Sequence, residues 1–141
     1  MRRAFTLPEL MLVLAVAAIL LAMAVPQLSR AVDRIQVEAA TAHILAAHQR
    51  ARLLAMARGQ VLVLSIDSAS LSILPYSGSA PFWSELGPSA MRVSLAGPPR
   101  RFMFSPEGFT LGLSNATLQL TRGSSSRTIV VSRLGRIRVV R

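Results

Sequence analysis

Residues 2–27 read RRAFTLPELMLVLAVAAILLAMAVPQ, and this stretch decides how the chain is built. The sixteen uninterrupted apolar residues at 10–25 would span about 24 Å as a helix, which is less than the ~30 Å hydrocarbon core of a bilayer. Adding residues 5–9 gives a segment long enough to cross, provided that Glu9 lies near the interface. We therefore predict that residues 5–26 span a membrane.

Three interpretations of this segment compete. A secretory signal peptide would use Arg2 and Arg3 as its basic region and would be cut after Ala24. A plain signal anchor would keep the same arginines inside the cell. Under both, Glu9 has an ordinary role, because the sequence TLPE at 6–9 is typical of a capping box at a helix N-terminus.

The third interpretation rests on the nine residues RRAFTLPEL at 2–10, which closely resemble the class III leader of type IV pilins and type II secretion pseudopilins. The resemblance implies that residues 1–4 are a leader peptide, and that a prepilin peptidase cleaves between Ala4 and Phe5 and N-methylates Phe5. It also implies that Glu9 pairs with the Phe5 amine of a neighbouring subunit during assembly. A charge at bilayer depth costs about 2.5–3.5 kcal/mol or more, so a partner for Glu9 is physically sensible. Ala4 stands where the family nearly always has glycine.

The helical pattern continues after the apolar run, which a cleaved signal peptide would not predict. Pro26 predicts a kink or a local unwinding, and Arg58-Gly59 predicts the end of the helix. Residues 27–58 are predicted to be amphipathic and to pack on the rest of the protein through one stripe, which is apolar except for a glutamine: Leu28, Val32, Ile35, Ala39, Ala42, Ala46, Gln49, Leu53 and Met56.

From residue 60 the hydrophobic period changes to two, which predicts an all-β head over residues 60–141. Residues 75–88 are predicted to be a loop, in which Phe82-Trp83 packs locally. The expected fold class is α+β and pilin-like: a long N-terminal helix, transmembrane in its first half, followed by a sandwich-like β head. Strands are predicted at 60–66, 71–74, 91–95, 101–104, 117–122, 127–132 and 137–140.

The head resembles the GspH/FimT family through FSPEG at 104–108, TLQL at 117–120, RTIVVS at 127–132 and LGRIRV at 134–139. The resemblance implies a minor subunit near the tip of a fibre, beside other major and minor pilins, with a single span in the inner membrane and the head in the periplasm. The leading interpretation is the H-type minor pseudopilin of type II secretion, which serves protein export. One alternative is a FimT-type minor pilin that binds DNA for uptake. Another is a secreted soluble β-domain cut after Ala24.

No constellation of residues points to catalysis. The chain has no cysteine, which excludes a disulfide framework and thiolate chemistry. His43 and His48 are five residues apart, so they do not share a helix face for a metal, and we expect both to be solvated. The sequence also has no glycine-rich phosphate loop. We therefore predict no enzymatic activity, no cofactor, no metal and no small-molecule substrate.

The basic character of the chain is the remaining signal. The net charge is +10, every basic residue is arginine, and no acidic residue follows Glu107. Such a surface favours anionic partners. Arginines at strand edges can simply limit aggregation, or their guanidinium groups can bind phosphates. FimT-type pilins are implicated in DNA uptake through C-terminal arginines, and the resemblance makes three residues candidates for binding DNA, another anion or a partner: Arg133, Arg136 and Arg138. No aromatic residue interleaves with this tail, so we expect binding to the phosphate backbone without sequence preference.

Overall fold

The computed structural model describes residues 6–78, 80–112 and 115–140, and the predicted cleavage site at Ala4 and Phe5 lies outside these ranges. The predicted α+β class is confirmed, since one long helix precedes an all-β head. The chain divides into two compact units, Met1–Val32 and Asp33–Arg141. Within the described ranges the elements are α1 (Leu7–Arg58), β1 (Leu62–Ile66), β2 (Ser70–Pro75), β3 (Trp83–Leu86), a 3₁₀ helix (Pro88–Met91), β4 (Ser94–Ala96), β5 (Arg100–Phe104), β6 (Thr110–Leu111), β7 (Ala116–Arg122), β8 (Ser125–Val131) and β9 (Ile137–Val140).

Helix α1 begins where the capping sequence predicts. The carbonyl of Thr6 accepts a hydrogen bond from the amide of Leu10 at 3.2 Å, and Pro8 lies in the first turn, where no backbone donor is needed. The helix continues through Pro26, and the Ser29 hydroxyl donates to the Pro26 carbonyl at 2.9 Å. The helix is therefore not locally unwound at Pro26, and the kink there stays a prediction.

The C-terminus of α1 is a Schellman motif. Gly59 has φ +62°, a left-handed conformation that glycine adopts without strain. Its amide donates to the Met56 carbonyl at 3.4 Å, and the Gln60 amide donates to the Ala55 carbonyl at 3.3 Å. The predicted end of the helix is confirmed.

The head contains two antiparallel sheets. One has five strands in the order β3-β2-β1-β5-β6, and the other has four in the order β4-β7-β8-β9. Six of the seven predicted strands coincide with β1, β2, β5, β7, β8 and β9. The strand predicted at 91–95 is displaced, because the 3₁₀ helix ends at Met91 and β4 begins at Ser94. The predicted loop at 75–88 contains β3, and the two-residue β6 was not predicted.

The second part of α1 packs into the core of the head, but through a different face from the predicted stripe. The prediction for the stripe is wrong, since Ile35 and Leu53 are 62% and 61% exposed. Both faces of this alanine-rich segment are apolar, so periodicity alone selected the wrong one. The sheets supply bulky side chains such as Phe102 and Phe104, and the helix meets them with mostly small residues. Its buried residues are Val37, Ala40, Thr41, Ile44, Ala47, His48, Ala51 and Ala55.

Candidate functional site

The first part of α1 presents an apolar surface with a carboxylate at its start. An 18-residue window of the helix has a mean hydropathy of 2.4, and none of that window is buried. This makes the segment a candidate membrane span. Glu9 is exposed in the first helical turn. Its pairing with the amine of Phe5 from a neighbouring subunit stays a prediction.

Two of the tail arginines are tied to acidic residues of α1. The Nε of Arg122 lies 2.9 Å from Oδ1 of Asp33, and its Nη1 donates to the Met91 carbonyl at 2.5 Å. The Nη2 of Arg127 lies 2.9 Å from Oε1 of Glu38. These contacts join α1 to the β7–β8 hairpin. Arg122 and Arg127 therefore have a structural role in the head.

The carboxylate of Glu38 accepts from two arginines. Arg34 donates from its Nε at 3.1 Å along the helix, and Arg127 donates from the hairpin. The hydrogen bond from Arg34, with the contacts to Arg127, holds the pKa of Glu38 below its usual value. Glu38 therefore stays ionised at neutral pH and offsets part of the positive charge of these two arginines.

The other three described tail arginines differ. Arg133, Arg136 and Arg138 are exposed, and across residues 6–78, 80–112 and 115–140 no carboxylate pairs with them. Arg133 and Arg136 lie in the turn between β8 and β9, and Arg138 lies on β9, an edge strand. This edge position fits the protective role of a strand-edge arginine. The absence of ion pairs fits binding to an external anion.

The turn that carries Arg133 and Arg136 is held by backbone and hydroxyl contacts. The Ser132 amide donates to the Arg136 carbonyl at 2.9 Å, and the Arg136 amide donates to the Ser132 hydroxyl at 3.2 Å. Gly135 has φ +75°, and the Thr110 hydroxyl of β6 donates to the Arg133 carbonyl at 2.9 Å. The guanidinium groups therefore project from a turn with a defined backbone.

A cleft of about 690 Å³ lies beside this turn. Arg136 and Arg138 contribute to it from the tail, and Arg52 contributes from α1. The guanidinium groups are combined with apolar side chains, an arrangement that can bind an anion with an attached apolar group. The lining residues are Gln49, Arg52, Val130, Ser132, Leu134, Gly135, Arg136, Ile137 and Arg138.

The cleft contains residues that the sequence did not indicate. Arg52 and Gln49 precede the tail by about eighty residues, and no spacing or motif connects them to it. Only the packing of α1 against the head brings them to the same cleft as Arg136. Arg133, the third predicted residue, lies in the adjoining turn and is not part of the lining.

The prediction that both histidines are solvated is wrong for His48, and His43 is partly exposed. His48 is buried at 1% exposure, with its ring edge-on to Phe102 and Phe104 at centroid distances of 6.2 and 5.0 Å. Burial lowers the pKa of His48 to about 4, with a smaller contribution from the charge of Arg52. The Nε2 of half-buried His43 donates to Oε2 of Glu85 at 2.5 Å. Residue type alone did not reveal that His48 is buried, because the outer face of α1 is as apolar as the inner one.

The contacts of the Phe82-Trp83 pair involve arginines of α1. The guanidinium of Arg58 lies 4.0 Å from the ring centroid of Phe82, and that of Arg50 lies 5.0 Å from the ring of Trp83. Trp83 also packs against the core, as predicted. Hydrogen bonding from His43, more than the charge of Arg50, holds the pKa of Glu85 below its usual value. Among the described residues, no group of three or more histidine, aspartate or glutamate side chains could hold a metal ion.

The long N-terminal helix, its apolar first part and the β head define a type IV pilin-like protein. The prokaryotic N-terminal methylation motif matches residues 1–25, and the family described as type II transport protein GspH matches residues 40–135. The chain therefore belongs to the GspH family. The fold and the family are those of structural pilin-like subunits.

Other similar proteins are named as a pilin or a pilin-like protein. The pilin-like protein PilA1 of Thermus thermophilus is 29% identical over 98% of this chain and 98% of its own length. The type IV minor pilin FimU of Pseudomonas aeruginosa, in two crystal forms, superposes with TM-scores of 0.58 and 0.61 at 19% and 20% identity. These superpositions cover 74% and 77% of this chain and 92% and 90% of FimU. At this identity the likeness to FimU concerns the fold.

Proposed function

We propose that the protein is a minor subunit of a type IV pilin-like filament. It is anchored in the inner membrane by the first part of α1, with its head in the periplasm, and it joins the filament after a prepilin peptidase acts between Ala4 and Phe5. The observation that carries this proposal is the exposed Glu9 at the start of an unburied apolar helix. A carboxylate there needs a cationic partner, and the free amine of a processed neighbouring chain supplies one.

The experiment for this proposal is mass spectrometry of the N-terminal peptide from the membrane fraction. We expect a mature chain that begins with N-methylated Phe5. A chain that begins at Val25 would contradict the filament role and would support a secreted soluble β-domain. An unprocessed chain would indicate that alanine at position 4 prevents cleavage.

For the role of the head, we propose a type IV pilus subunit that binds DNA. The supporting observation is that Arg133, Arg136 and Arg138 have no carboxylate partner among the described residues, whereas Arg122 and Arg127 are paired. The full-length similarity to a pilin-like protein is compatible with either kind of filament. The GspH family description favours the other candidate, an H-type pseudopilin near the tip of a secretion pseudopilus that serves protein export.

A DNA titration separates the two candidates. The full-length chain, purified in an uncharged detergent, is titrated with duplex DNA at two salt concentrations. Each neutralised phosphate contributes about 0.9 to the slope of log affinity against log salt. Replacing Arg133, Arg136 and Arg138 with glutamine should lower that slope by roughly two to three if all three touch phosphates.

The matched control replaces three other exposed arginines with glutamine, namely Arg30, Arg100 and Arg101, and so removes the same charge elsewhere. This control should retain the steep salt dependence. Absence of binding to both duplex and single-stranded DNA near physiological salt would support the secretion pseudopilin. Equal losses in both triple variants would mean that net charge, and not the tail, determines affinity.

A further inference from the structure

The cleft beside the β8–β9 turn has an apolar floor that phosphate binding alone does not require. Val130, Leu134 and Ile137 line it together with the arginines. Leu134 is 84% exposed, so its side chain has little packing role within the head. A flat basic surface would be sufficient for a ligand that offers only phosphates. The apolar floor therefore points to a ligand that also offers an apolar face.

Guanidinium groups approach this floor from two directions. Arg136 and Arg138 come from the tail, while Arg52 comes from α1, and Arg52 has no carboxylate partner within the described ranges. A cleft with cations on both sides suits a polyanion that passes through it, and the net charge of +10 favours such a ligand further.

An exposed aromatic side chain lies next to the same turn. Phe109 is 61% exposed and immediately precedes Thr110, whose hydroxyl donates to the Arg133 carbonyl at 2.9 Å. A Cβ on Gly135 would lie 2.6 Å from Cγ2 of Thr110, so the turn and β6 are in close contact. The sequence shows no aromatic residue within the tail, but the fold brings Thr110, the neighbour of Phe109, into contact with the turn beside the cleft, whose lining does not include Phe109 itself.

We propose that this cleft binds single-stranded nucleic acid. The guanidinium groups of Arg52, Arg136 and Arg138 bind successive phosphates, and unstacked bases lie against the apolar floor and the ring of Phe109. The proposal rests on the DNA-binding function above and names its substrate class. Bases in a duplex are stacked on one another and cannot present their faces, whereas every unpaired base can. The preference is therefore for single strands, without a strong preference for sequence.

The test compares three ligands on the full-length chain in uncharged detergent. These are an oligothymidine about 15 nucleotides long, a strand of abasic sites with the same number of phosphates, and a duplex of that length. We expect oligothymidine to bind about fivefold or more tightly than the abasic strand, because contact with one base is worth at least that factor. The duplex should bind no better than the abasic strand.

Single-residue variants measure how much each side chain contributes to the binding affinity. Phe109→Ala and Leu134→Ser should lower the affinity for oligothymidine towards that of the abasic strand, and should leave the abasic strand unaffected. Arg52→Gln should weaken both single-stranded ligands and lower the salt slope by about 0.7, the value for one phosphate of a single strand. The control Arg101→Gln removes an exposed arginine outside the cleft. It should change neither the affinity for the two single-stranded ligands nor the salt slope.

Failure of this inference can be told apart from failure of the function on which it rests. Equal affinity for oligothymidine, abasic strand and duplex would overturn the single-strand proposal and leave DNA binding in place. No binding of any of the three ligands would overturn both. A loss in Phe109→Ala that is the same for all three ligands would also overturn the proposal, since a base contact cannot act on an abasic strand.

Discussion

The ring of His48 meets the ring of Phe104 edge to face in the core of the head, with their centroids 5.0 Å apart. Within the part of the chain that the structure describes, neither ring nitrogen of His48 has a hydrogen-bond partner. Burial therefore disfavours the charged imidazolium, and the charge of Arg52 disfavours it further. His48 serves here as a small neutral aromatic residue, and its protonation opposes folding.

We expect the head to lose stability in acid because of His48. The pKa falls from 6.5 to about 4 on folding, so below pH 6.5 the unfolded chain binds a proton that the folded chain does not. The loss grows as the pH falls from about 6.5 to 4 and reaches about 3 kcal/mol at most. His48→Leu should remove this component and leave stability near neutral pH equal or higher.

The measurement is thermal unfolding of the detergent-solubilised chain, followed by the fluorescence of its single tryptophan, Trp83. Comparing wild type with His48→Leu at each pH cancels the contributions that the two proteins share. The same pH dependence in both proteins would show that His48 is not responsible.

The buried face of α1 gives a second prediction, and two neighbouring alanines provide a matched pair of variants. Ala47 is buried at 1% exposure, whereas Ala46 is exposed. Ala47→Leu should destabilise the head by about 1–3 kcal/mol, because the larger side chain must displace packed neighbours. Ala46→Leu should change stability by no more than about 0.5 kcal/mol. Chemical denaturation of both variants measures this, and the reverse order would mean that the predicted stripe packs inward after all.

The ion pair between Asp33 and Arg122 should contribute measurably to stability. Their side chains are only 22% and 19% exposed, and Arg122 also donates to the Met91 carbonyl. We expect Arg122→Gln to cost about 2 kcal/mol, because it leaves a half-buried carboxylate and a carbonyl without their donor. A double-mutant cycle with Asp33→Asn should give a coupling of about 1 kcal/mol. Arg101→Gln is the exposed control. A coupling near zero would reduce the pair to a surface contact.

Glu9→Ala should separate membrane insertion from assembly. Removing a charge eases insertion, so the variant should fractionate with the membrane as the wild type does. Incorporation into the filament should fall, because the amine of the neighbouring Phe5 loses its partner. Fractionation with a secretion or transformation assay measures both steps. Full function in this variant would leave Glu9 as a helix cap worth about 1 kcal/mol.

The sequence predicted those features that depend on local chemistry. The end of α1 at Gly59 follows from backbone conformation, and the hairpin of β7 and β8 follows from alternation and a turn between them. β3 was missed because its residues, Trp83–Leu86, are mostly exposed and lie between proline and glycine residues. The short β6 was missed because two residues have no detectable period.

What the sequence could not predict depends on long-range packing. Residue type does not distinguish Arg127, which pairs with Glu38, from Arg136, which has no such partner in the described part of the chain. Their difference arises from the position of α1 beside the β7–β8 hairpin. For the same reason the sequence could identify Arg136 and Arg138 as candidates but not Arg52, which reaches the same cleft from α1.

The pairing of α1 with the β7–β8 hairpin also determines when the head can close during synthesis. Asp33 and Arg122 are 89 positions apart, and so are Glu38 and Arg127. A ribosome working from the N-terminus delivers both carboxylates long before either arginine exists. Contacts between such distant residues form slowly, because a long loop must first be closed. The nascent helix therefore emerges with its inner face uncovered, and we expect the head to become stable only after the β7–β8 hairpin has been synthesised.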